Sequence, residues 1–87
     1  MKWTKNKSGS IYEADCGIHV VLRRYEDGWN LTCKELGIDL APINAASFND
    51  AVLEAQRAIK EKADSLYIGV SSFIRDPYFK NEFIVKQ

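Results

Sequence analysis

An amphipathic helix is the strongest signal in this sequence, and the rest of the chain has to pack against it. The stretch from Ser47 to Ala63 reads SFNDAVLEAQRAIKEKA. Its apolar residues recur three and four positions apart and form one stripe, namely Phe48, Ala51, Val52, Ala55, Ile59, Ala63 and then Leu66. Because a helix of this length is marginal in water by itself, the stripe requires a partner surface. We therefore predict a main helix over residues 47–64 that packs on a sheet.

The start of this helix is marked by its capping residues. Ser47 is suited to the N-cap, since its hydroxyl can accept a free backbone N–H of the first turn. Asp50, three residues later, completes a weak capping box and places negative charge at the positive end of the helix dipole. The helix is thus predicted to begin immediately after Ser47.

Residues 11–41 change to an apolar period of two and predict an antiparallel β-meander. Turn residues divide this region at Asp15-Cys16-Gly17, Asp27-Gly28 and Gly37. The predicted strands cover residues 11–14, 18–25, 29–36 and 38–41, and Pro42 helps to end the last one.

The central hairpin predicts which side chains share a face. If Asp27-Gly28 is the loop, Glu26 faces Trp29 and Arg24 faces Leu31. One face is then apolar and matches the helix stripe: Ile18, Val20, Leu22, Trp29, Leu31 and Cys33. The other face meets solvent and carries His19, Val21, Arg23, Tyr25, Asn30, Thr32 and Lys34.

The two ends of the chain complete an α+β prediction for one domain over residues 1–87. Residues 1–10 are polar apart from Trp3 and predict a flexible N-terminus. Residues 67–87 form an aromatic C-terminal segment, in which YIGVSSFI at 67–74 is rich in β-formers and Asp76-Pro77 suits either a turn or the start of a short helix. The predicted fold is a three- to four-stranded antiparallel meander packed on one helix, with an additional C-terminal strand or short helix.

The order of landmarks resembles a group of small ββ(β)α proteins encoded by phages and prophages. The residues that carry the resemblance are Trp3, Gly9, Tyr12, Gly17, Val20 to Arg23, Gly28-Trp29-Asn30-Leu31, Ser47 and Ala51 to Ala55. The resemblance implies an accessory protein of a mobile element, working in a bacterial host cell. It implies no particular chemistry.

A second set of residues resembles HicB-like antitoxin domains. The matching stretches are YEDGWNLTCKELGI and ASFNDAVLEAQRAI, a strand–turn–strand followed by a capped helix. The chain departs from that pattern because it lacks the Pro-Gly turn and the Gly before the helix Ser. This resemblance implies an inhibitor that binds a toxin protein.

Charge and hydropathy narrow the location and the partners. Lys plus Arg and Asp plus Glu both number 12, so no net field steers the chain onto nucleic acid or a membrane. No run approaches the roughly 18 apolar residues of a membrane span, and MKWTKNKSGS lacks the apolar segment of a signal peptide. We expect a cytoplasmic protein without a membrane partner, in which Cys16 and Cys33 are free thiols.

The sequence offers no set of residues that predicts catalysis. His19 is the one histidine, and no Ser/His/Asp or Cys/His spacing places a nucleophile beside it. The five glycines are scattered at turns and form no phosphate-binding loop. We therefore predict a protein that is not an enzyme and that has no cofactor, no catalytic residue and no metal ligand.

Two surfaces are candidates for binding a partner. The solvent-facing side of the sheet combines Arg23, Tyr25, Asn30 and Lys34, a mixture that suits phosphates and bases but that also suits plain solvation. The second candidate combines Leu53, which lies outside the helix stripe, with Tyr78 and Phe79 near the C-terminus. These aromatics either contact a partner or close the core, and a homodimer would satisfy both alternatives.

Together with the resemblances, these features predict a non-enzymatic binding protein of a phage or other mobile element. It would act by stoichiometric occlusion of a macromolecular partner, either a host-defence complex in the manner of an anti-CRISPR protein or a toxin. The alternative is a small accessory protein that binds DNA or RNA through the solvent-facing side of the sheet.

Overall fold

The computed structural model describes residues 1–75; residues 76–87 lie outside the described part. The chain has an α+β fold, as predicted: five consecutive antiparallel strands followed by one long helix. The elements are β1 (Thr4–Lys5), β2 (Ile11–Asp15), β3 (His19–Tyr25), β4 (Gly28–Cys33), a 3-10 turn (Lys34–Leu36), β5 (Ile38–Ile43) and α1 (Phe48–Ile74). Each strand pairs with its neighbours in the sequence, so the sheet is a simple meander.

The sheet is larger at both edges than the predicted three to four strands. The first ten residues, predicted as a flexible N-terminus, contribute β1, in which Thr4 pairs with Glu13 and Lys5 with Tyr12. At the other edge β5 runs to Ile43 and includes Pro42. An edge strand tolerates proline because its outer N–H groups need no partner strand.

The predicted pairing of the β3–β4 hairpin was wrong by one loop position. The two-residue loop is Glu26-Asp27, and Gly28 belongs to β4, opposite Tyr25. Gly28 packs against β5, since a Cβ built there would lie 3.6 Å from the carbonyl oxygen of Ile43. Moving the loop by one residue changes each partner by two positions, so the side chains of β3 and β4 keep their predicted faces.

The core lies between the sheet and the first half of α1. The predicted apolar sheet face is correct: Val20, Leu22, Trp29, Leu31 and Cys33 are all buried. Opposite them, α1 contributes the small buried residues Ala51 and Ala55, which let the helix approach the sheet closely. An aromatic cluster closes one end, where the ring of Phe48 lies 4.4 Å from Tyr12, 5.4 Å from Trp3 and 6.0 Å from Trp29 between centroids.

The helix begins where the capping residues predict. The backbone of Ser47 is extended, and its Oγ accepts the backbone N–H of Asp50 at 3.2 Å. The Ser47 carbonyl accepts the N–H of Ala51 at 2.9 Å, which closes the first turn. The predicted N-cap is confirmed.

The C-terminal end of the helix differs from the prediction. The main helix was predicted to end near residue 64, and residues 67–74 were a candidate for an additional strand, but they continue α1 to Ile74, for a length of 27 residues. Extending an existing helix gains one hydrogen bond for each residue fixed, and this local gain outweighs the β-propensity of Ile68 and Val70. The helix therefore runs well past the residues that contact the sheet.

Candidate interaction surface

The C-terminal part of α1, residues 64–74, extends beyond the core of the domain; we call it the distal segment. All of its residues are exposed except Ser71, which is half-buried. Its apolar side chains have large exposed fractions: Leu66 43%, Tyr67 72%, Ile68 65%, Val70 56%, Phe73 78% and Ile74 67%. Soluble proteins seldom present so many adjacent apolar side chains to water unless a partner covers them.

The apolar residues of the distal segment continue the stripe that packs on the sheet. Ile59, Ala63, Leu66, Val70 and Phe73 follow one another at intervals of four, three, four and three residues. This is the spacing of the buried seam in helix–helix packing. Ile59 packs against the core, while the residues from Leu66 onward lie beyond it. One face of one helix is thus covered by the sheet in its first half and uncovered in its last third.

The distal segment is also free of charge over most of its length. No Asp, Glu, Lys or Arg occurs from Ser65 to Ile74. The last charged pair before it joins the Lys60 Nζ to the Asp64 carboxylate at 2.8 Å, and this hydrogen bond raises the pKa of Lys60. A partner that contacts residues 65–74 therefore removes no charged side chain of this stretch from water.

A shallow apolar groove lies where α1 leaves the sheet. It has a volume of about 340 Å³ and is bounded by Ile38 and Ala41 from β5 and by residues 58–65 of α1, namely Ala58, Glu61, Lys62 and Ser65. The groove borders the distal segment, so the uncovered apolar surface extends from the helix onto the sheet edge.

The solvent-facing side of the sheet brings together three of the predicted site residues. Arg23 and Asn30 are directly paired across β3 and β4, and Tyr25 lies two residues along the same face with 43% of its surface exposed. Lys34 was predicted to lie on this face but does not, because β4 ends at Cys33 and Lys34 begins the 3-10 turn. The face therefore carries a smaller basic group than the sequence predicted.

The remaining predicted site residues lie elsewhere. Leu53 is 60% exposed on the side of α1 that points away from the sheet, thirteen residues before Leu66 and so about 20 Å from it along the helix. Tyr78 and Phe79 lie outside the described residues. The structure thus separates Leu53 from both surfaces described above.

Sequence reasoning missed most of the distal segment as a surface, since the β-formers Tyr67, Ile68 and Val70 made it a candidate for an additional strand. The signal that identifies it is the four-three spacing of Ala63, Leu66, Val70 and Phe73, which is helical and continues the core stripe.

A wide, shallow depression of about 550 Å³ lies beside the β3–β4 hairpin. Its walls come from the Ser8-Gly9-Ser10 turn and from residues 24–26, with Arg24, Tyr25 and Glu26. The Arg24 guanidinium is 6.0 Å from the centre of the Trp29 ring, at the limit of a cation–π contact. Arg24 and Glu26 offset each other in charge, so the depression has no single sign that would select an ion.

His19 lies among carboxylates that fix its position. Its Nε2 is 3.6 Å from the Glu13 carboxylate, and its backbone N–H donates to the Glu35 carboxylate at 2.9 Å. The backbone N–H groups of Glu35 and His19 lower the pKa of the Glu35 carboxyl group. Burial raises the pKa of the nearby Cys33 thiol, which therefore stays protonated. No nucleophile is activated among these residues. The contact between Glu35 and His19 joins the 3-10 turn to β3, and we call it the clip.

Two further features are absent from residues 1–75. That part of the chain contains no helix with the length and apolar character needed to cross a membrane. It also contains no group of three or more His, Cys, Asp or Glu side chains arranged to hold a metal ion.

Comparison with known proteins gives no family model, no curated protein and no solved structure that matches this chain. The resemblances to phage and prophage ββ(β)α proteins and to HicB-like antitoxin domains remain predictions.

Proposed function

We propose that this chain is a non-enzymatic binding protein that acts by stoichiometric contact with a macromolecular partner, and that the distal segment supplies the contact. The observation that carries the proposal is the exposure of Leu66, Val70 and Phe73, 43–78%, on the same stripe of α1 whose earlier members are covered by the sheet. Their exposure costs free energy in water at roughly 25 cal/mol per Å², which a partner recovers.

The chemistry of the distal segment favours a protein partner with an apolar groove. A helix that presents apolar residues at intervals of three and four binds such grooves by inserting one face. Nucleic acid would require cations at the contact, and the ten residues from Ser65 to Ile74 contain none. The resemblance to proteins of mobile elements favours work in the bacterial cytoplasm, with occlusion of a defence complex or a toxin as the outcome.

Affinity capture from a bacterial lysate, with and without nuclease, tests this proposal. The tagged wild-type chain should retain a nuclease-resistant protein at near-equal stoichiometry, and a Val70→Glu, Phe73→Glu double variant should lose it. Leu53→Glu is the matched control, because Leu53 is as exposed as these residues but lies on another part of α1. Retention of the partner by the double variant would contradict the proposal, and so would the absence of any partner, whether a lysate protein or a co-expressed untagged copy of the chain.

A second candidate function is binding of DNA or RNA through Arg23, Tyr25 and Asn30. It is favoured by their shared position on the solvent-facing side of the sheet, where a cation lies beside an aromatic ring. Binding of a labelled oligonucleotide that weakens steeply with salt, and that Arg23→Ala weakens further, would support this function. Binding that ignores salt would count against it.

A further inference from the structure

We infer that the partner of the distal segment is a second copy of this chain, paired antiparallel along the seam formed by Ala63, Leu66, Val70 and Phe73. This inference rests on the proposed function, since it takes the distal segment as the contact surface; on that segment the second copy takes the place of a defence complex or toxin. It adds the identity of the partner, the orientation of the two helices and the side chains that meet.

The seam is complementary to itself in size. In an antiparallel pair centred near Ile68, Ala63 lies beside Phe73 of the second copy, and Leu66 lies beside Val70 of the second copy. The largest side chain of the seam then meets the smallest. Because the arrangement has two-fold symmetry, each of these contacts occurs twice, as in other isologous interfaces.

The distal segment is also complementary to itself in charge. Two copies of a surface that carries charges of one sign repel each other, but residues 65–74 carry no charge at all. The chain as a whole has a formal net charge of zero at pH 7, so long-range repulsion between copies is also small. Nothing electrostatic opposes the association of two identical segments.

The position of the sheet selects the antiparallel orientation. The sheet covers the same stripe of α1 that the second copy has to cover, at Val52, Ala55 and Ile59 in the first half of the helix. A parallel second helix would bring its own sheet to the place that the first sheet already occupies. An antiparallel helix places its sheet at the opposite end and its Ile74 near the groove beside Ile38.

The available area agrees with a modest dimer interface. Five exposed apolar side chains lie on or beside the seam, namely Leu66, Tyr67, Val70, Phe73 and Ile74; two of them are aromatic, at about 150–250 Å² each when fully buried, and together they offer several hundred Å² on each copy. The total over two copies is comparable with the lower limit of about 1,200 Å² for stable interfaces. We therefore expect a dimer that dissociates on dilution.

Sedimentation velocity over a range of concentrations of the full chain tests the inference. The wild type should shift from monomer to dimer as concentration rises, Phe73→Glu should stay monomeric, and Leu53→Glu should behave as the wild type. Phe73 is 78% exposed, so Phe73→Glu should leave the melting temperature of dilute protein unchanged. Disulfide trapping in a Cys16→Ser background tests orientation: Leu66→Cys mixed with Val70→Cys should cross-link, and neither variant should cross-link efficiently to itself.

Several results would overturn the inference, and they differ in what they leave standing. A wild type that stays monomeric at every concentration, with a lysate protein still captured through Val70 and Phe73, would refute the second copy and keep the proposed function. A monomer whose melting temperature falls with Phe73→Glu would mean that residues 76–87 of the same chain cover the seam. A monomer with no partner would refute both. Efficient cross-linking of each variant to itself would refute the antiparallel orientation.

Discussion

The carboxylate of Glu35 connects parts of the chain that are far apart in sequence. It accepts the backbone N–H of His19, sixteen residues earlier, at 2.9 Å and thereby ties the 3-10 turn to the first residue of β3. Its second oxygen lies 3.9 Å from the Cys33 Sγ. Backbone N–H groups favour the charged form of the carboxyl group, so the clip is strongest when Glu35 is ionised.

The pH dependence of unfolding should report this clip. Because the pKa of Glu35 is lower in the folded chain than its ordinary value of 4.5, its contribution to stability is present above that value and is lost as pH falls through the folded pKa. Glu35→Gln should reduce stability at pH 7 and flatten the loss between neutral and acidic pH. Urea unfolding at a series of pH values measures both effects.

The matched control for this prediction is Glu61→Gln, since Glu61 is exposed on α1 and makes no ion pair within the described residues. It should leave the pH profile of the wild type unchanged. A Glu35→Gln profile as steep as that of the wild type would show that other carboxylates produce the acid sensitivity.

Individual residues also show where sequence reasoning reaches its limit. The alternation of β4 placed Trp29, Leu31 and Cys33 on the core face correctly, because burial of these side chains fixes the face. Lys34 continued the same alternation but fell in the 3-10 turn. The turn depends on the left-handed conformation of Gly37, with a φ of 70°, and on the contact between Glu35 and His19, and neither is visible in an apolar period.

At the scale of elements, the two parts of α1 are stabilised in different ways. Its first half begins at a satisfied N-cap and buries Ala51 and Ala55 against the sheet. Its last third has the same spacing of apolar residues but no sheet beneath it. Propensity and packing therefore stabilise the first half together, while the distal segment depends on propagation of the helix and on whatever covers its seam.

Removal of the N-cap should destabilise the fold through the first half of α1. Ser47→Ala deletes the hydroxyl that accepts the Asp50 N–H, and caps of this kind contribute about 0.5–2 kcal/mol to the free energy of unfolding. Ser65→Ala is the control, because Ser65 is an exposed residue within the helix and alanine is the better helix former there. Urea unfolding should show a loss for Ser47→Ala and no loss for Ser65→Ala; equal effects would contradict the capping role.

The same element explains the largest error of the sequence prediction. Ile68, Gly69 and Val70 all have weak helix propensity, and Ile68 and Val70 taken alone favour a strand. They follow an established helix directly, however, and Leu66 and Phe73 keep the helical spacing around them. Local composition predicted the strand, whereas the context of the preceding helix determined the structure.

At the scale of the whole molecule, the long helix makes the chain elongated. The radius of gyration is 17.6 Å, compared with about 11–12 Å for a compact domain of this size, and the longest extent is 54 Å. The solvent-facing side of the sheet and the distal segment lie on different parts of this shape. Arg23 and Val70 therefore belong to separate surfaces, and substitutions at one should leave binding at the other intact.

The measurement that tests the central claim most directly is backbone amide hydrogen exchange along α1 at low and high concentration of the full chain. Amides of residues 51–59 should be protected at every concentration, because the sheet covers them. Amides of residues 66–74 should exchange rapidly in dilute protein and become protected as concentration rises or as a captured partner is added, and Phe73→Glu should abolish that gain. Rapid exchange of residues 66–74 under all these conditions would contradict the claim that a partner covers the distal segment.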